Sequence, residues 1–245
     1  MPHRPSTTDA TPEGVLLVHK PRGVTSHDVV AAVRRKLGVR RVGHTGTLDP
    51  MAEGLLVILV GRATKQQQAY QGHDKSYDAV LRLGTQTDTG DATGAVIRTA
   101  PVPVVTRERL VDVLASCESA LSQVPPAYSA VKVRGRPAYW WARRRQPVVL
   151  AARPVRIHRL TLRDAAHETL SLHVECSAGT YIRALSELIA ERLGTVGHLE
   201  QLVRVRIGAW RLEQARPLAW IGEATPEAVL GTLMPLSAPR AAQVG

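Results

Sequence analysis

At 245 residues with 44% hydrophobic side chains, the chain is long enough to bury a full core and too apolar to be an intrinsically disordered protein. Lys and Arg number 32 against 21 Asp and Glu, a formal net charge of +11, which favours nucleic acid over membrane because no lone amphipathic helix carries the cations. The longest uninterrupted aliphatic run, Leu55 to Val60, is far short of the ~20 residues that span a bilayer, and Cys117 and Cys176 alone support neither a disulfide framework nor a paired-cysteine zinc site, so the expected compartment is the cytoplasm.

Residues 1–13 lack an apolar signal core and read as a disordered tail. Val15 to His19 is an apolar run after Gly14, a predicted strand. A helix follows: Thr25-Ser26 offers its cap, Asp28 suits its positive end, Val29, Val30, Val33 and Leu37 form its stripe, and Gly38 ends it. Residues 43–56, GHTGTLDPMAEGLL, form a glycine-rich loop that runs into a buried strand at Leu55 to Val60. Inside it Asp49 precedes Pro50, which biases it towards extended backbone; taken alone, an Asp-Pro pair is most often a turn. Tyr77 to Leu83 alternates as a half-buried strand and enters GTQTDTGDATG, a turn-rich loop holding Asp88 and Asp91.

Thr106 is positioned to cap a helix with the stripe Leu110, Val113, Leu114 and Cys117. A Pro-Pro break at 125–126 precedes a predicted strand at about 128–133. Residues 125–163 then hold ten Lys or Arg and no Asp or Glu, among them Lys132, Arg143, Arg144 and Arg145, with Tyr139, Trp140 and Trp141 in between. Aromatics amid cations suit a flexible arm gripping a sugar-phosphate backbone; a solvated face over core aromatics is the plainer alternative. Leu170 to Cys176 alternates as a strand. After it Thr180 is the predicted cap of a helix with Ile182, Leu185, Leu188, Ile189 and Leu193 apolar and Gly194 at its end. Residues 199–210 read as a strand pair, and the chain from about 222 is Ala/Pro-rich and weakly patterned. Irregular interleaving of strands and helices predicts an α+β fold with a mixed, largely antiparallel sheet flanked by helices.

Phosphate-loop, dinucleotide, nucleophile-elbow and zinc-protease motifs are absent, the nine His lack metal-ligand spacing, and the Asp88/Asp91 loop fails the spacing of a calcium hand, so no metal is expected. What remains is a distributed polar set: Lys20-Pro21, His44, Asp49, Tyr77, Asp91, Tyr181 and Arg183. Arg183 is chemically suited to hold Asp49 ionised, which would lower its pKa, although sequence separation leaves that pairing open.

The segments HKPRGVTSHDVV, GHTGTLDPMAEGLL, GRATK, KSYDAVLRLGTQTDTGDATG, PPAYSAVKVRGRPAY and CSAGTYIRAL, in this order over about residues 14–210, resemble the TruB family of pseudouridine synthases. The resemblance implies the pseudouridine synthase fold and isomerisation of uridine to pseudouridine at position 55 in the T loop of tRNA, with no cofactor, no obligatory protein partner and a monomeric state. It makes Asp49 the catalytic carboxylate, Tyr77 the platform under the target base and Arg183 the partner of Asp49. It also has His44 filling space left by flipped nucleotides, Tyr181 and Leu202 lining the uracil pocket, Asp91 holding the rearranged loop, and Lys20 and Pro21 as structural support. On this reading residues 14–221 are the catalytic domain, with a mobile RNA-gripping insertion at about 125–153 that includes Lys132, Arg143, Arg144 and Arg145; 222–245 is a short extension.

Two departures stand out. Against the family pattern, His19 replaces the Asp common before Lys-Pro, and with about 35 residues after the last recognisable strand a fold without a full C-terminal PUA domain is expected. The reaction exchanges a C1′–N1 bond for C1′–C5 at a flipped base. A carboxylate can serve it by attack at C1′, by attack at C6 or by removing a C2′ proton, and the residues do not choose among these. A catalytically silent tRNA-folding chaperone and a guide-RNA-dependent synthase are the rival readings.

Overall fold

The computed structural model describes residues 12–235. Apart from Pro12 and Glu13, the expected N-terminal tail therefore lies outside the described residues. In chain order the elements are β1 (Gly14–Lys20), α1 (Ser26–Leu37), β2 (Val42–His44), β3 (Glu53–Val60), α2 (Gln67–Gln71), β4 (Lys75–Leu83), β5 (Thr85–Thr87), β6 (Val96–Thr99), α3 (Arg107–Cys117) and β7 (Ala120–Gln123). There follow β8 (Lys132–Val133), β9 (Arg136–Pro137), α4 (Ala138–Ala142), β10 (Arg153–Ala165), β11 (Thr169–Cys176), α5 (Ile182–Arg192), β12 (Gly197–Ile207), β13 (Trp210–Arg211), β14 (Arg216–Pro217), α6 (Leu218–Glu223) and α7 (Pro226–Leu230).

One mixed sheet runs in the order β14-β1-β3-β12-β4-β11-β10-β7, with β2 added to β3 and β13 to β12. Its pairings are antiparallel except β1–β14 and β3–β12. The two halves of the sheet differ in sequence pattern because they differ in cover. On β1 and β3 both faces are packed: Leu16, Val18, Leu56 and Ile58 meet α1 and α6, while Val15, Leu17, Leu55 and Val57 meet Tyr70 and Ile207. Continuous aliphatic runs follow from that. On β4 and β11 a single face packs against α3 and α5 through Leu81, Leu170, Leu172, Val174, Leu185 and Ile189, and these strands alternate.

The parallel β3–β12 pair joins the halves, with Arg204 opposite Gly54. Gly54 has φ 110°, and a Cβ there would overlap the Arg204 backbone, so only glycine allows the approach. The Asp49 loop enters β3 at this seam.

Helix α1 forms as its sequence predicts, with the Thr25 Oγ1 accepting from Asp28 N at 3.1 Å, a reciprocal capping box, and Gly38 left-handed at φ 64°. Four local expectations are corrected. The strand expected at 128–133 shrinks to Lys132–Val133, paired with β9 in a hairpin off the main sheet. Thr180 does not cap α5; its hydroxyl donates to Ser177 O at 2.9 Å, and the cap position is Tyr181, without a side-chain bond. The pair expected at 199–210 is very unequal: residues 197–207 are one long strand with irregularities at Leu199/Gln201 and Arg204/Arg206, and its antiparallel partner is only the two-residue β13. Finally, residues 222–235 are structured, and the rest of the expected extension lies outside the described residues. Thr225 caps α7, Ile221 and Val229 are fully buried, and Met234 exchanges two 2.9 Å backbone bonds with Val15.

Candidate active site

The loop carrying Asp49 is fastened from three directions. Ser26, at the start of α1, both donates to Leu48 O (3.1 Å) and accepts from Leu48 N (2.9 Å). Lys20, fully buried, donates from Nζ to Ala52 O (2.6 Å), Pro21 O (2.9 Å) and Val24 O (2.9 Å). From β12, Arg204 donates to Gly46 O (3.0 Å), Thr47 O (3.4 Å) and Leu55 O (2.8 Å). With the carbonyls of Gly46, Thr47, Leu48, Ala52 and Leu55 claimed in this way, the loop is held by groups outside it. Burial brings the Lys20 ammonium down to about 8 against the pull of Asp49.

Arg183, one residue into α5 and 3% exposed, places Nε 3.0 Å from Asp49 Oδ2. Its other nitrogens donate to Thr89 O (2.8 Å) and Tyr128 O (2.9 Å), and Nη1 lies 3.8 Å from Asp91 Oδ2. The guanidinium therefore joins the Asp49 loop, the 84–95 turn and the root of the basic insertion. Asp91 braces it from behind: its Oδ1 accepts from Thr89 Oγ1 (2.8 Å), Thr93 N (3.0 Å) and Thr93 Oγ1 (2.6 Å).

Asp49, Tyr77, Tyr181, Arg183 and Leu202 line one cavity of about 280 Å³, so the structure gathers these five expected residues. Tyr77 is 6% exposed, and burial pushes its phenol up to about 12 although the neighbouring Arg204 opposes the shift. Burial likewise raises Tyr181. One electrostatic expectation is reversed. The Asp49 side chain keeps 32% of its surface open at the cavity, yet desolvation of its carboxyl outweighs Arg183 and raises its pKa above the ordinary value. Arg183 opposes that rise rather than producing a net depression.

The remaining expected residues stand elsewhere. His44 on β2 does not line the cavity; its Nδ1 accepts from Gly46 N at 3.3 Å and its ring meets His27 edge-on at 5.7 Å. Burial lowers it to about 4, so the ring is neutral with its proton on Nε2. Lys132, Arg143, Arg144 and Arg145 are exposed on the insertion, away from the cavity, which the insertion reaches only at its root through Ser129 and Ala130. There Arg144 stacks 3.6 Å over the Trp140 ring and Arg143 5.4 Å over Tyr139, while Trp141 Nε1 donates to Val133 O at 3.1 Å.

Lys75 and Arg204 also line the cavity and are absent from the expected set. The signal was there. Lys75 is two residues before Tyr77, and Arg204 two after Leu202, so strand alternation puts all four on one face.

The description of the TruB family pseudouridylate synthases (N-terminal domain) matches residues 34–182. The chain belongs to this family. It is 46% identical to the tRNA pseudouridine synthase B of Aromatoleum aromaticum over 226 residues, covering 92% of this chain and 73% of that protein. It is 47% identical to the protein of the same name from Mycobacterium sp. (strain KMS), covering 84% of this chain and 70% of that one. Among solved structures, a chain of a Cbf5-Nop10-Gar1 complex superposes with a TM-score of 0.68 at 27% identity, over 91% of this chain and 60% of that chain's length. As a TruB-family enzyme the protein is a pseudouridine synthase, an isomerase. Among the described residues, no helix is long and apolar enough to cross a membrane.

Proposed function

We propose that the enzyme isomerises uridine to pseudouridine at position 55 in the T loop of tRNA, acting as a monomer in the cytoplasm without guide RNA or partner protein. The observation that carries this reading is the Asp49–Arg183 pair at 3.0 Å, opening into a cavity walled by Tyr77 and Leu202, in a chain 46% identical to a tRNA pseudouridine synthase B. A target base cannot be reached inside a stacked loop. It must flip out at a cost of a few kcal/mol, offset by cationic contacts along the stem and by His44 taking space in the loop. Tyr77 then forms the floor under the uracil, and Leu202 and Tyr181 the walls. Asp49 faces the ribose and meets the positive charge that develops at C1′. Arg183 opposes the burial that favours the neutral carboxyl, and Asp91 keeps Arg183 in place. Lys20 and Pro21 hold the loop and take no part in bond exchange. Lys132, Arg143, Arg144 and Arg145 grip the RNA backbone as the insertion closes.

The test is release of tritium from a tRNA transcript carrying [5-³H]uridine, without added proteins, with the modified position mapped. Asp49→Asn is expected to abolish release while tRNA affinity stays within about tenfold, since the lost group acts on the reacting sugar. Normal release by that variant would remove Asp49 from the chemistry. RNA binding without any release by the wild type would favour a silent chaperone.

A further inference from the structure

Two cations in the cavity have no part in the scheme above. Lys75 and Arg204 are 6% and 1% exposed, and among the described residues neither forms an ion pair with a carboxylate. Arg204 directs its N–H groups at the carbonyls of Gly46, Thr47 and Leu55 and stands beside the Tyr77 hydroxyl. Lys75 Nζ donates to Gln71 O (3.0 Å) and His73 O (2.5 Å), which leaves one ammonium proton for the cavity that it lines. Carbonyl dipoles fix both side chains but do not neutralise them. Burying an unpaired cation is costly, and two on one wall repel each other. Such a wall is pre-organised for negative charge.

The strands say where that charge would sit. Lys75 and Tyr77 share a face of β4, Leu202 and Arg204 the same face of β12, and Tyr77 pairs directly with Arg204. The two cations thus flank the aromatic and aliphatic surfaces that would hold the base. We infer that Lys75 and Arg204 stabilise the negative charge on the uracil while it is detached from C1′, and so hold the free base in the cavity. The inference rests on the isomerisation proposed above. When C1′–N1 breaks, its electron pair stays with the uracil and spreads over N1, O2 and O4, leaving C1′ electron-deficient beside Asp49. The C5 carbon then supplies the pair that forms C5–C1′, the C5 proton departs, and N1 takes up a proton. No atom is lost overall.

Lys75 also marks the step with a pH signature. Its neighbours are Arg204 on β12, Cys176 on β11, Tyr77 on its own strand, and His73 and Asp74 in the preceding turn. Burial and Arg204 bring it down to about 8, against Cys176 and Asp74, while Cys176 and Tyr77 stay neutral to about 12. Its charge is therefore lost near pH 8.

The experiment compares single-turnover rates on tRNA with uridine or 5-fluorouridine at the target, the fluorinated ring being the better anionic leaving group. Lys75→Met is expected to slow uridine rearrangement about 100-fold, as loss of one pre-organised charge contact does, and 5-fluorouridine rearrangement less than about tenfold. Its tRNA Kd should stay within about threefold. The wild-type rate should fall above pH 8; Lys75→Arg should retain most of the rate and move that limb upward, and Lys75→Met should lack it. Equal losses on both substrates, a loss explained by weaker tRNA binding (a phosphate contact), or an unchanged alkaline limb would overturn the inference. A wild type inert on both substrates would overturn the isomerase reading and this inference with it.

Discussion

Asp49 sits between two effects of opposite sign. Burial favours its neutral form, Arg183 at 3.0 Å favours the charged one, and burial is the larger. The acid limb of the pH–rate profile should thus lie above the range of an ordinary aspartate. Removing Arg183 leaves burial unopposed, so Arg183→Met is expected to move that limb further up and to lower kcat about 100-fold or more. Arg183→Lys, which keeps the charge but loses the fork to Thr89 and Tyr128, should move the limb less. A limb that stays put in Arg183→Met, measured by tritium release from pH 4.5 to 8, would mean that Asp49 does not titrate in the rate-limiting step. That Asp49, Tyr77 and Arg183 line one cavity agrees with the motif segments that carry the family resemblance. Lys75 and Arg204 were not singled out, because a cation in a strand ordinarily faces water; only the alternation with Tyr77 and Leu202 turns them inward. The sign of the Asp49 shift could not be read either, since it depends on how deep the loop sits.

Among the elements, the insertion keeps its basic character and gains a definite construction. Its rings are not a core: Trp140 carries Arg144 at 3.6 Å and Arg136 at 5.6 Å, with no acid from 125 to 163 to neutralise them. A guanidinium stacked on indole directs its N–H groups outward along its edge, and beyond the bond from Arg144 Nη1 to Trp140 O at 3.2 Å these can donate to phosphate. Replacing Arg143, Arg144 and Arg145 by Gln should weaken tRNA binding and reduce the slope of log Kd against log salt by roughly 2 to 3, about 0.7–0.9 per lost phosphate contact. An unchanged slope in filter binding would take this arm off the RNA. The elements that alternate or cap by rule, α1, β4, α3 and β11, stand where their sequence puts them. The elements that depart from their expected course break the rule locally. Irregularities at Leu199/Gln201 and Arg204/Arg206 disrupt the period of β12, and the 128–133 stretch is held by contacts to the α4 turn, where Tyr139 N donates to Ser129 O at 3.1 Å.

For the whole molecule, the buried cations set an unusual dependence of stability on pH. Lys20 and Lys75 each fall from 10.5 to about 8 on folding. Below pH 8 both states carry these protons and the native state bears the full cost of burying charge. Between 8 and 10.5 the unfolded chain holds protons that the native chain has released, so stability rises with pH, by about 1.4 kcal/mol per unit for each group. The opposing groups begin higher. Cys176 and Tyr77 are raised to about 12 from 9.0 and 10.0, and burial also raises Cys117, Tyr70 and Tyr181. Unfolding lets each of these ionise, which lowers stability from pH 9 upward. Relief of self-repulsion in a chain of net charge +11 adds to the gain on the lower side. The tRNA-free enzyme should therefore gain thermal stability from pH 7 to a maximum between about 9 and 10, then lose it. In Lys75→Met the rise between 8 and 9 should be roughly halved, because one of two titrating lysines is gone. Melting curves at constant ionic strength decide the matter: a Tm that falls steadily from pH 7 to 9 would show that the two lysines are not buried as cations in the native state.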